Sequence, residues 1–186
     1  MTHTLFKYRS VTLHPAALYV IILWMVIGCA CDTVVENRIP AMPVSIDLAD
    51  RGTWSTYGVA GMGDYNYFVF MAGSERLPSG FPYKTTSATG FGGVLLIMGM
   101  DPFTLDTMTP LAYDLACPVE RQRTVRVAIN QDIEAVCPVC DSHYNVLTGG
   151  GAPTAGPALT GERKYGLQRY TCRPAGYGGY YITDMR

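Results

Sequence analysis

The chain has 186 residues, 48% of them hydrophobic and 16% charged, with a formal net charge of -1. That balance carries no basic block and excludes a nucleic-acid backbone as partner, which calls for clustered Lys and Arg. With 13 tyrosines, 20 glycines and many short apolar runs, the composition predicts strands and tight turns rather than a helical bundle.

At the N-terminus, Lys7 and Arg9 precede an uncharged apolar run, Ala16 to Ile27 (AALYVIILWMVI). The run falls short of the about 20 apolar residues that a membrane-spanning helix needs. A basic start and a short apolar core is the pattern of a secretory leader. The run ends in Val26-Ile27-Gly28-Cys29, which resembles the lipobox of bacterial lipoproteins, with a small residue before the scissile bond and a thiol after it. The resemblance implies a signal peptide over 1–28 and lipid attachment at Cys29, with Cys31 a poorer cleavage site. The membrane then becomes the first partner, since each buried methylene of an acyl chain contributes about 0.8 kcal/mol. Ala30 follows the Cys where inner-membrane lipoproteins of enteric bacteria carry Asp, so the resemblance points to the outer membrane, on its periplasmic or surface side.

Residues 29–42 read as a polar tether, stiffened near its end by Pro40 and followed by Pro43. The segment from Pro43 to Leu48 alternates apolar and polar, as a half-buried strand does. Residues 50–64 read as irregular and Gly-rich, with Trp54 and Tyr57 packing on the sheet. Tyr65 to Met71 is aromatic and β-branched and predicts a strand, whereas 73–90 reads as a long loop. Gly92 to Met98 predicts a buried strand entered through a Gly pair. After a loop over 99–110, Leu111 to Ala116 leads to Cys117. Arg123 to Ile129 alternates cleanly, turns at Asn130 to Asp132, and returns as Ile133 to Val136, so a hairpin holds Cys117 and Cys137 at one end. Tyr144 to Leu147 predicts a short strand, 149–157 a loop, and 167–172 and 180–184 the closing strands. The chain from 43 to 186 therefore reads as one all-β domain with a small subdomain on the cysteine hairpin, long enough to bury a core.

The chemistry concentrates in Cys117-Pro-Val-Glu120, Cys137-Pro-Val-Cys-Asp-Ser-His-Tyr144 and Gly156-Pro-Ala158. Two short cysteine loops on a hairpin, then a Gly-Pro loop, resemble the Rieske iron–sulfur domain over residues 112–184. The segment 120–136 between the loops has the length that family uses. The resemblance implies a Rieske-like antiparallel β sandwich with a cysteine-loop subdomain. It also implies that Cys117, Cys137 and Cys140 stand in the cluster-holding loops, and that Ser142 and Tyr144 aim hydroxyls at the cluster sulfurs, which tunes an iron–sulfur centre. Pro157 would lie in the loop that shields the cluster.

A Rieske centre needs two His on one iron and two Cys on the other. Val119 and Cys140 occupy the imidazole positions, His3 and His14 lie in the leader, and His143 is the one imidazole after it. The expected protein is a lipid-anchored envelope module that has lost the usual 2Fe–2S cluster and carries no cofactor, with an envelope protein as a further partner. The alternative is a membrane-tethered electron-transfer protein with cysteine-rich ligation.

Three fates of the thiols stay open. The family fold brings the loops into contact, which implies a disulfide of Cys117 with Cys137 or Cys140, contributing roughly 3 kcal/mol in an oxidising compartment. Cys117, Cys137, Cys140 and His143 form a tolerable zinc set. Against it, the family's second loop presents residues 137 and 140 together and turns 143 away, so His143 by itself reads as a surface or hydrogen-bonding residue. Three thiolates with Glu120 or water as fourth ligand would hold a 2Fe–2S cluster at lowered potential. Cys172, on an expected strand, reads as a buried apolar-like residue. Gly-x-Ser-x-Gly, His-Glu-x-x-His and phosphate-loop patterns are absent from the sequence, and the chain does not read as an enzyme.

Overall fold

A computed structural model describes residues 33–71 and 76–184. The leader 1–28, Cys29, Cys31 and the first part of the tether lie outside the described residues. Among the described residues no helix is long and apolar enough to cross a membrane. Strand accounts for 40% and helix for 7%, so the protein is all-β as the composition predicts.

Alternation and β-branching build the large sheet. It contains β2 (Val44–Asp50), β3 (Tyr65–Phe70), β4 (Arg76–Leu77), β5 (Ala88–Thr89), β6 (Val94–Gly99), β7 (Thr109–Asp114), β13 (Arg169–Pro174) and β14 (Gly178–Thr183). The order is β4-β3-β6-β7-β13-β14-β2-β5, antiparallel throughout. The sheet curls on itself: at its far edge, β5 offers the Thr89 hydroxyl to the Phe70 amide of β3 at 3.1 Å. Ile46, Leu48, Phe68, Val94, Leu96 and Ile182 fill the space inside the curl. At Gly179 a Cβ would sit 1.9 Å from the Leu48 carbonyl oxygen, so only Gly permits β14 to lie this close to β2.

A second, small sheet has the order β11-β10-β9-β8, from β8 (Ala128–Ile129), β9 (Glu134–Val136), β10 (His143–Asn145) and β11 (Ala152–Ala155). Its Ala135, Tyr144 and Val146 pack with Leu95, Ile97, Leu111 and Tyr113 on the outer face of β6 and β7. Every residue of β6 is therefore buried. Burial on both faces explains why this strand is a continuous apolar run rather than an alternating one.

Several expected boundaries move, each for a local reason. Residues 50–64 open with a helix, α1 (Arg51–Tyr57), because Asp50 caps it by accepting from the Thr53 amide at 2.9 Å. Trp54 then rests on Tyr180 of the sheet, as expected, whereas Tyr57 meets the loop residue Phe81. The expected tether is not free from Val34 onward. There β1 (Val34–Val35) pairs in parallel with β12 (Lys164–Tyr165), Arg38 lies 3.6 Å over the Tyr165 ring, and Ile39 is buried. Its apolar residues have a surface to cover.

The strand expected over 123–129 shrinks to Ala128–Ile129 plus an isolated bridge between Ala116 and Arg126. The arginines spend their donors on loop carbonyls instead: Arg123 Nε on Phe91 at 2.9 Å and Arg126 Nε on Gly92 at 2.6 Å. In the expected loops, β4 and β5 form within 73–90 and β11 within 149–157, the latter after a left-handed turn at Gly151 (φ +84).

Candidate metal centre

Two loops with the same local structure carry the cysteines. After Ala116, Cys117-Pro-Val-Glu120 turns and closes with the Arg121 amide donating to the Cys117 carbonyl at 2.9 Å. After β9, Cys137-Pro-Val-Cys140 turns and closes with the Asp141 amide donating to the Cys137 carbonyl at 3.1 Å. Both closing residues adopt the left-handed conformation, Arg121 at φ 55 and Asp141 at φ 53. Pro at the second position fixes φ at a value such a turn uses and removes an amide the turn has no acceptor for. The β8–β9 hairpin, with Ala128 opposite Val136, sets the loops side by side.

The sulfurs converge. Cys117, Cys137 and Cys140 have Sγ atoms all within 4.8 Å of one another, close enough to bind a metal. Cys117 and Cys137 are buried, Cys140 half-buried, and the Cys117–Cys140 separation is 3.6 Å. Around them stand the Tyr144 hydroxyl, 3.5 Å from Cys117 Sγ, and Ser142 Oγ, 3.2 Å from Cys140 Sγ. Ser142 Oγ also accepts from the Ala158 amide at 3.1 Å. This bond fastens the Gly-Pro loop and the helix α2 (Pro157–Thr160) to the second cysteine loop. The contact needs Gly156, since a Cβ there would lie 2.6 Å from the Asp141 carbonyl oxygen and its φ is +75. Ala158, rather than Pro157, is the residue buried against the cysteines; Pro157 is exposed.

Burial pushes the Cys117 thiol up to about 12, opposed by the Tyr144 hydrogen bond and by the backbone amides of Glu120 and Val119. A thiol so buried resists ionisation in water. A divalent cation reverses that preference, because coordination requires the thiolate.

Neither expected disulfide is formed: the four described cysteines are free, and 3.6 Å between Cys117 and Cys140 exceeds the about 2.05 Å of a bond. His143 does not complete a zinc set. Its Nδ1 lies 2.9 Å from Glu134 Oε2 and its Nε2 3.6 Å from Asp141 Oδ1, so the ring faces carboxylates on the side of β10 away from the sulfurs. The period of two decides this, since His143 and the inward Tyr144 are neighbours on one strand. Cys172 packs at the margin of the inner core, where burial raises its thiol to about 12.

The His143–Glu134 pair gives a pH-dependent contribution. The Glu134 hydrogen bond raises the imidazole above 6.5, and the same bond holds the carboxyl below 4.5. The imidazole share is present below 6.5 and is lost as pH rises through the raised value; the carboxylate share is present above 4.5 and is lost as pH falls through the lowered one. Wild type should therefore exceed His143→Gln in urea midpoint most clearly between those two values. The gap at this partly exposed site stays below about 1 kcal/mol. An equal gap from pH 5 to pH 9 would contradict the pairing.

The His2Cys2 di-iron group that the Rieske resemblance implies does not fit this donor set, which is three thiols with no imidazole beside them among the described residues. A separate cleft of about 580 Å³, which the sequence did not signal, runs between Val34–Asn37 and Gln168–Arg169, and no cysteine lines it. No family model, curated protein or solved structure matches the chain.

Proposed function

We propose that this chain is a lipid-anchored envelope protein whose Rieske-like β domain holds a single thiolate-bound metal ion at Cys117, Cys137 and Cys140. It acts as a binding or structural module in place of an electron carrier. The observation that carries this reading is the mutual approach of the three sulfurs within 4.8 Å. Around a tetrahedral ion with bonds of about 2.3 Å, neighbouring sulfurs stand about 3.8 Å apart, close to the 3.6 Å between Cys117 and Cys140. A di-iron group spreads its ligands over two ions, whereas this trio is compact enough for one. Soft thiolate donors favour zinc or iron over magnesium or calcium. The order of the two cysteine loops, Ser142, Tyr144 and the Gly-Pro loop supports the Rieske-like assignment.

The full chain, solubilised from membranes in detergent without chelators, tests the reading through metal content, acid-labile sulfide and a visible spectrum. A colourless protein with one metal ion per chain and no sulfide is expected. Brown protein with paired iron and sulfide would establish the electron-transfer alternative. Incorporation of labelled palmitate, lost in Cys29→Ser, tests the anchor independently.

A further inference from the structure

We propose that Glu120 is the fourth ligand of this site, which makes the donor set Cys3Glu. The proposal rests on the reading of the three cysteines as a metal centre and adds a residue to it. The argument is the equivalence of the two loops. Both read Cys-Pro-Val, both close with an amide-to-carbonyl bond from the fifth residue to the first, and both place that fifth residue in the left-handed region. In the second loop the fourth residue is Cys140, whose sulfur lies 3.6 Å from Cys117. In the first loop the fourth residue is Glu120. Three of the four equivalent positions carry sulfurs that converge, and the remaining one carries a carboxylate.

The surroundings of Glu120 agree with this role. Its backbone amide acts on the Cys117 sulfur, so the residue begins its side chain beside the sulfurs. It is half-buried, yet its carboxylate makes no ion pair or side-chain hydrogen bond among the described residues. A carboxylate drawn partly out of water ordinarily finds a partner. The carboxylate stands outside the sulfur trio, so binding requires it to turn toward the thiols. A Glu oxygen binds zinc at about 2.0–2.2 Å and serves as a zinc ligand beside two imidazoles in His2Glu sites.

Cobalt(II), which reports thiolate ligation by charge-transfer absorption, is the probe. It is added to the full chain in detergent after metal removal, for wild type, Glu120→Gln, Glu120→Cys and Cys137→Ser. Zinc affinity is read by competition with a chromophoric chelator. Glu120→Gln should weaken zinc by at least about tenfold, since loss of even an outer-shell partner costs about 10–100-fold. Glu120→Cys should restore the affinity and increase the charge-transfer intensity per cobalt by about one third, as a fourth thiolate joins three. Unchanged zinc affinity in Glu120→Gln, or unchanged charge transfer in Glu120→Cys, overturns the assignment of Glu120. Cys137→Ser separates the two levels. If it abolishes binding while Glu120→Gln does not, the metal centre stands and only the fourth ligand is wrong. If wild type takes up no cobalt, the metal centre itself is refuted and Glu120 with it.

Discussion

Replacing Cys137 by Ser is expected to abolish stoichiometric metal binding and to lower the melting temperature by about 10 °C. The magnitude follows from linkage. A metal held at a thousandfold excess over its dissociation constant stabilises the folded state by about 4 kcal/mol. In a chain of this size each kcal/mol shifts the midpoint by about 2–4 °C. Cys137 is the variant of choice because its side chain is buried and its amide, bonded to the Ser142 carbonyl at 3.0 Å, is untouched by the change. A chelator added to wild type should reproduce most of the drop and leave Cys137→Ser unaffected. Cys172→Ser should keep the metal, since that thiol lies at the inner core, apart from the trio. A chelator-insensitive wild type would remove the linkage from the account.

Asp114→Ala is expected to cost about 3–5 kcal/mol of stability, as loss of one member of a buried polar network does. Asp114 is fully buried at the end of β7. Its Oδ1 accepts from the Gly92 amide at 2.9 Å and the Ala116 amide at 2.7 Å; its Oδ2 accepts from the Phe91 amide at 2.8 Å and from the Tyr170 hydroxyl. Burial raises its carboxyl above the ordinary carboxylate range, and these donors act in the opposite direction. Truncation would leave the donors buried with nothing to accept them, at about 1–3 kcal/mol each, partly offset by removal of a buried charge. Urea unfolding at neutral pH measures the loss. Because Asp114 also holds Ala116, the residue that enters the first cysteine loop, metal affinity should fall in the same variant. A change below about 1 kcal/mol would mean that the network is not what fixes the Gly90–Gly93 loop.

The frame was legible where a strand's two faces differ or where both are buried. Alternation placed β2, and an unbroken apolar run placed β6, because burial is what those patterns record. Pairing of the cysteine loops across the β8–β9 hairpin was also legible, from the alternating residues on either side of Asn130. Short elements were not. The α1 helix rests on one cap, Asp50, inside a stretch whose glycines speak for a loop, and β1 depends on a partner, β12, far away in sequence. The strand expected from 123 failed because alternation gives Arg126 to solvent and puts Arg123 on the apolar face with Val125 and Val127, while tertiary contact gives both guanidinium groups to the Phe91 and Gly92 carbonyls. At the site, the sequence named the three cysteines, Ser142 and Tyr144, which the structure brings together. It also expected His143 to turn away from the sulfurs as a hydrogen-bonding residue, which its bond to Glu134 agrees with. The equivalence of the two Cys-Pro-Val loops was present in the letters, but the matching closing bonds and left-handed residues appear only in the folded backbone.

X-ray absorption at the edge of the metal that copurifies with the full chain tests the central claim most directly. The account requires one ion surrounded by three sulfurs at about 2.3 Å and one lighter atom at about 2.0–2.2 Å. A second metal atom in the nearest shells, nitrogen ligation in place of the sulfurs, or sulfurs already joined to each other with no metal bound would contradict it.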